Sequence, residues 1–153
     1  MIERIVSGGQ TGVDRAALDV ALACGVACGG WCPEGRRAED GPLAPQYPLQ
    51  ETPSADYAQR TEWNVRDSDG TLILTRGRPT EGTAMTIELA EQHGKPCLVL
   101  DLAEEPNAAT VHDWLRTHRI RVLNVAGPRE SKCPGIYAQA APFLRQMLSE
   151  GHR

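Results

Sequence analysis

The sequence predicts an α/β domain built on a parallel sheet of about five strands, and three observations predict it. Short apolar runs alternate about five times with segments of helical period. Two of the runs, Thr71 to Leu74 and Cys97 to Leu100, are continuous, as expected of strands covered on both faces. Turns rich in glycine follow several runs at the point where a helix starts. At 153 residues the chain is expected to form one domain, residues 1–153.

The first strand spans Ile2 to Val6, and Ser7-Gly8-Gly9-Gln10-Thr11-Gly12 turns it into a helix from Val13 to Cys24 that stops at Gly25. Its spacing, G-G-x-x-G, matches neither the dinucleotide fingerprint nor the triphosphate loop, since no Lys follows the last glycine. Glycines that admit a close backbone approach, beside the free N–H groups of a helix start, predict an anion site with phosphate as its guest.

A second strand is expected from Val26 to Trp31, ended by Cys32-Pro33. Residues 33–53 show no strand or helix period and are interrupted by prolines, which predicts a ligand-covering loop, or else a solvated surface excursion, anchored by Trp31, Leu43, Tyr47 and Leu49. Ser54 is the expected cap of a helix reaching Arg66, with Arg60, Thr61 and Asn64 sharing one face. Such a face is either solvated or functional.

The strand at Thr71 to Leu74 leads through Arg76, Gly77, Arg78 and Pro79 to a helix starting at Thr80 or at Gly82-Thr83. Ala84, Ile87 and Ala90 are its expected apolar face, and Gly94 its stop. After the fourth strand, Asn107 caps a helix carrying Val111, Trp114 and Leu115. The fifth strand, Ile120 to Ala126, precedes a loop with Arg129, Ser131 and Lys132; Pro134 fits the first turn of the last helix, which Pro142 should kink.

A net charge of −4, with no basic run interleaved with aromatics, argues against nucleic-acid binding. No apolar run approaches the length of a membrane span and no leader pattern is seen, so a cytoplasmic location is expected. Five cysteines make a disulfide framework unexpected, and Cys24, Cys28 and Cys32 straddle a helix end and a strand without a second pair or a His partner. No metal held by protein ligands is expected.

Parallel connectivity brings the loops after Gly8, Pro33, Arg76 and Gly127 to one sheet edge, where ligands bind in such folds. The candidate anion ligands are therefore Gly8, Gly9, Gln10, Thr11 and Gly12 in the first loop, Arg36 in the second, Arg76, Gly82 and Thr83 in the third, and Arg129 and Ser131 in the last. Together they predict a cationic crevice for a small phosphorylated ligand. No nucleophile-and-base pattern accompanies it, so a binding protein is expected rather than a catalyst.

SGGQTGVDRAALD, GWCPEGRRAEDGPLAPQYPL, YAQRTEWNVRDSDGTLIL, Gly82-Thr83 and NVAGPRESKCPGIY occur in this order over nearly the whole chain. In this the chain resembles the molybdenum carrier family, the circularly permuted YpsA branch of the Rossmann-like SLOG superfamily that also contains the LOG and DprA proteins. The resemblance implies a Rossmann-like three-layer fold, homo-oligomerisation, and a molybdenum cofactor or nucleotide-like ligand. It also implies that Gly8, Gly9, Thr11 and Gly12 hold the ligand's phosphate while Arg76, Gly82, Thr83 and Arg129 line the crevice, and that molybdoenzymes are partners. LOG enzymes carry P-G-G-x-G-T-x-x-E with a catalytic Glu; here Thr86 stands at that position and Glu88 two places on, about 200° around a helix. A nucleotide N-glycosidase (phosphoribohydrolase) using Glu81 or Glu88, and a nucleotide-sensing domain, are the alternative expectations.

Overall fold

The structure is a computed structural model and describes residues 2–151. Its centre is a five-stranded, wholly parallel sheet of β1 (Arg4–Val6), β2 (Cys28–Gly29), β5 (Gly70–Thr75), β6 (Cys97–Asp101) and β7 (Val122–Ala126), in the order β2-β1-β7-β5-β6. Five helices flank it: α1 (Val13–Ala23), α2 (Tyr57–Arg66), α3 (Glu81–Gln92), α4 (Ala108–Thr117) and α5 (Ile136–Gly151). This is the expected Rossmann-like α/β arrangement.

Strand alternation divides the interior into two layers of different chemistry. Ile5, Leu72, Leu74, Leu123 and Val125 join residues of α1, α4 and α5 in the main apolar core. The intervening positions, Thr71, Ile73 and Asn124, turn to the opposite face, where α2 and α3 lie against each other. Asn124 donates from Nδ2 to Thr71 Oγ1 across that face at 3.2 Å. One side of the sheet is thus apolar throughout and the other carries polar groups, which is where a polar ligand can be held.

The second expected strand is divided in two. Gly30, at φ +123°, has Ser7 O where a Cβ would be, 2.7 Å away, so the chain turns out of the main sheet after Gly29. Trp31–Cys32 (β3) then pairs in parallel with Gln50–Glu51 (β4), a strand inside the segment that shows no sequence period. Asn64 of α2 secures β3 by accepting from Trp31 N (2.8 Å) and donating to Trp31 O (3.0 Å). Between β3 and β4 the loop is anchored by a second apolar cluster of Leu18, Cys32, Ala38, Leu43, Tyr47 and Leu49.

Other element bounds and faces differ for local reasons. Ser54 Oγ accepts from Asp56 N, a local turn that delays α2 until Tyr57. Thr80 caps α3 by accepting from Thr83 N, and the helix buries Thr83, Thr86 and Ala90 while Ala84 is exposed. The β6 strand lies at the sheet edge, partly buried with Val99 39% exposed, so its apolar run is not doubly covered. Pro134 precedes α5 instead of opening it, and α5 runs on through Pro142 because the carbonyl left unpartnered belongs to the exposed Ala138. Among the described residues no helix is long and apolar enough to cross a membrane.

Candidate functional site

Strand order reverses at β1, which has β2 on one side and β7 on the other. The loops leaving β1 and β7 part there, and a cavity of about 460 Å³ opens between them beneath α2 and α3. Gly8, Gln10 and Asp14 form one wall; Tyr57, Arg60, Thr61 and Asn64 of α2 form another. Glu81, Gly82, Thr83 and Thr86 of α3, Asn124 and Ala126 of β7, and Arg129 and Lys132 beyond β7 complete most of the lining. Arg60, Arg129 and Lys132 outnumber the carboxylates Asp14 and Glu81, so the cavity is cationic within a chain of net charge −4.

The glycine-rich turn is built for close packing as much as for a guest. Gly12, at φ +78°, has Pro128 O 2.3 Å from its hypothetical Cβ, so only glycine lets the first loop meet the last one. Gly9, also at φ +78°, backs onto Leu43 and Leu49 of the long loop. Four of the amides nearby have protein acceptors: Gly9 N donates to Ser7 Oγ (3.2 Å), Gln10 N to Asp14 Oδ2 (3.4 Å), Thr11 N to Gln10 Oε1 (3.0 Å) and Val13 N to Pro128 O (3.3 Å). These bonds take four loop amides out of anion binding, and the side-chain cations Arg60, Arg129 and Lys132 face the cavity.

Asp14 and Arg60 are the buried charged pair of the site. Arg60 Nη2 lies 3.9 Å from Asp14 Oδ2, while Nη1 donates to Tyr57 O (3.4 Å) and contacts Thr61 Oγ1. Arg60 Nε packs on Gly8 and has no hydrogen-bond partner. Burial pushes the Asp14 carboxyl up from 3.8 to about 6, against the opposing pull of Arg60, the Gln10 amide and Arg15. Burial likewise lowers Arg60 from its ordinary value, opposed by Asp14. Arginine keeps its charge through such a shift, so the cavity holds a permanent cation beside a carboxyl that titrates near neutrality.

Tyr57 stands where three guanidinium groups meet. Arg37, Arg60 and Arg129 lie 4.6, 5.2 and 5.9 Å from its ring centroid. This arrangement holds positive charge together at one wall through cation–π contacts, which suits an anionic group.

Of the residues singled out from sequence, Gly8, Gln10, Gly82, Thr83 and Arg129 line the cavity, as does Glu81. Gly9, Thr11, Gly12 and Ser131 lie in the adjoining loops and are engaged by other protein groups. Two expected ligands are elsewhere. Arg36 donates to the carbonyls of Leu43, Ala44, Tyr47 and Leu49, which makes it the staple of the long loop. Arg76 donates to Gln139 Oε1 and Pro134 O at 2.6 Å each, tying its loop to α5. Glu88 is exposed and outside the lining, and none of residues 33–53 lines the cavity, so that loop braces α1 and meets the site only at its edge, where Glu39 bonds to Thr11 and Ser131.

Asp14, Tyr57, Arg60, Asn124 and Lys132 also line the cavity but stood outside the expected ligand set, Lys132 having been placed only among the charged residues of the last loop. For Arg60 the signal was present, since Arg60, Thr61 and Asn64 share a helical face that turns out to border the cavity. Among the described residues no Ser, Cys or His lines it, so it holds no hydroxyl-or-thiol nucleophile paired with an imidazole.

A family model described as the circularly permuted YpsA SLOG family matches residues 5–148. A search of the curated proteins finds no match. Among solved structures the chain is similar to a "putative molybdenum carrier protein" from Syntrophus aciditrophicus SB, with 48% identity and a TM-score of 0.92. That match covers 96% of this chain and 95% of the other.

Proposed function

Because the chain belongs to the circularly permuted YpsA SLOG family, we propose that its cavity carries a phosphorylated pterin of the molybdenum-cofactor kind, or a nucleotide-like ligand, as cargo without turning it over. The observation that carries this reading is the convergence of Arg60, Arg129 and Lys132 on one polar cavity. A volume of about 460 Å³ lies within the range of roughly 300–1,000 Å³ common for small-molecule sites.

The donor set suits such a cargo. The three cations neutralise a phosphate, the Tyr57 ring backs the guanidinium groups of Arg60 and Arg129, and Gln10, Asn124 and the α3 threonines supply neutral hydrogen-bonding groups for a heterocycle's edge. Among the described residues no cysteine lines the cavity, so a metal would remain on the cargo's own sulfurs. The name of the similar Syntrophus protein agrees with this assignment. The test is to denature the purified protein and record the absorbance spectrum and mass of what is released, then to offer the loaded protein to a molybdoenzyme lacking its cofactor. Release of a phosphorylated pterin and recovery of enzyme activity are expected; an empty protein that also fails to bind phosphorylated pterins or nucleotides refutes the reading.

One observation favours a second reading. Asp14 and Glu81 both line the cavity, and Asp14 titrates at about 6, within reach of acid chemistry near neutral pH. Cleavage of the glycosidic bond of a nucleoside monophosphate then follows, with water adding to the sugar and the base leaving protonated. Incubation with nucleoside monophosphates decides between the two readings: free base supports the enzyme, and its absence supports the carrier.

A further inference from the structure

At the rim of the cavity, Thr11, Ser131 and Arg129 all face one carboxylate, that of Glu39 from the long loop. Ser131 donates from its backbone N (3.2 Å) and from Oγ, Thr11 donates from Oγ1, and Arg129 Nε lies 3.8 Å away. The Thr11 hydroxyl is held in register because it accepts from Glu130 N at 3.0 Å, which leaves its own proton for the carboxylate. Burial opposes ionisation of Glu39, but the bonds from Ser131 and Thr11 and the charge of Arg129 outweigh it and hold the carboxyl below its usual range.

Three donors and a cation around a group that only accepts constitute an oxyanion nest. A carboxylate fills it incompletely, since Arg129 Nε stays at 3.8 Å, beyond hydrogen-bonding distance. A tetrahedral oxyanion has additional oxygens with which to reach the guanidinium. We propose that Thr11, Ser131 and Arg129 form a second oxyanion subsite at the cavity rim, that Glu39 is its resident stand-in, and that the guest is a phosphoryl group or a free tetrahedral oxyanion. The exchange leaves the loop in place, because Ala38, Leu43, Tyr47 and Leu49 stay packed in their own cluster and only the Glu39 side chain swings out. This rests on the reading of the cavity as an anion site and adds to it a gate.

Calorimetric titration tests it with three probes: inorganic phosphate, molybdate and a nucleoside monophosphate. Glu39→Gln keeps the shape and removes the charge that competes with the guest. It is expected to bind at least one probe tenfold or more tightly than the wild type, and Glu39→Gln/Arg129→Ala to lose that gain. A gain confined to phosphate and molybdate assigns the subsite to free oxyanions, and a gain that includes the monophosphate assigns it to a phosphoryl group. Thermal melting accompanies each variant. Should Glu39→Gln not fold, Glu39→Ala, which removes both the charge and the carboxylate from the nest, decides in its place with the same expected gain. Unchanged affinity, or a gain that survives loss of Arg129, overturns the proposal. The gain persists in Glu39→Gln/Arg60→Ala if the rim subsite exists and the cavity reading alone fails.

Discussion

Asp14 and Arg60 face each other at the cavity wall with 3.9 Å between Oδ2 and Nη2, and their side chains are only 8% and 11% exposed. Arg60 is therefore the cation least screened by water, and the one whose charge a bound anion would feel most. Arg60→Ala is expected to weaken binding of a phosphorylated ligand by roughly tenfold to a hundredfold, the scale of one charge-assisted hydrogen bond. Arg60→Lys should recover little of this, because an ammonium lacks the planar fork that also reaches Tyr57 O and Thr61. Titration of both variants checks this; wild-type affinity in Arg60→Ala would remove the main support for the cavity as an anion site.

The raised pKa of Asp14 gives stability a definite pH dependence. Its folded value, about 6, lies above its ordinary 3.8, so the folded state binds a proton more readily than the unfolded chain does. The resulting contribution is fully present below about pH 4 and is lost as pH rises through 6. Other carboxyls, such as Asp69, whose pKa is lowered by the Val122 and Arg121 amides, act in the opposite sense, so the comparison must be made against Asp14→Asn. That variant is expected to gain stability relative to wild type between pH 4 and pH 7, by on the order of 2 to 3 kcal/mol. Denaturant melts at several pH values measure it, and parallel curves for the two proteins would show that Asp14 titrates normally.

Two glycines of the site have opposite tolerances. At Gly12 a Cβ would lie 2.3 Å from Pro128 O, on a backbone of φ +78°, so Gly12→Ala combines strain with overlap and should cost about 2 to 4 kcal/mol. At Gly82, in the first turn of α3, nothing lies within 4 Å. Gly82→Ala should be neutral or stabilise by about 0.5 to 1 kcal/mol through helix propensity. Thermal melting of the pair distinguishes a glycine kept for packing from one that is not.

The sequence makes the alternation of elements legible because it lies in local periodicity: Gly25 ends α1, Asn107 caps α4, and the cores of β1, β5, β6 and β7 match. Strand order is set by long-range pairing, so the apolar run Cys97 to Leu100 reads as doubly covered although β6 is an edge. Loop convergence followed from parallel topology alone, which is why Gly8, Gln10, Gly82, Thr83 and Arg129 could be placed together. Asp14 by itself is an ordinary first-turn acid, and Arg60 an ordinary residue on a polar face. Their meaning lies in facing each other, and no local pattern encodes that.

Arg36 shows the converse, an arginine in the right loop with a different task. Its guanidinium donates to four backbone carbonyls at 2.8 to 3.3 Å, and it lies outside the cavity lining. Arg36→Met keeps much of the side-chain length but leaves those carbonyls without a donor in a half-buried setting. The expected cost is about 2 to 4 kcal/mol, with early loss of protection from hydrogen exchange confined to residues 33–53. Affinity for a phosphorylated ligand, measured at a temperature where the variant is folded, should stay within about twofold of wild type, because the second apolar cluster still holds the loop against α1. A large loss of affinity with unchanged stability would return Arg36 to the binding site and make the long loop a cover after all.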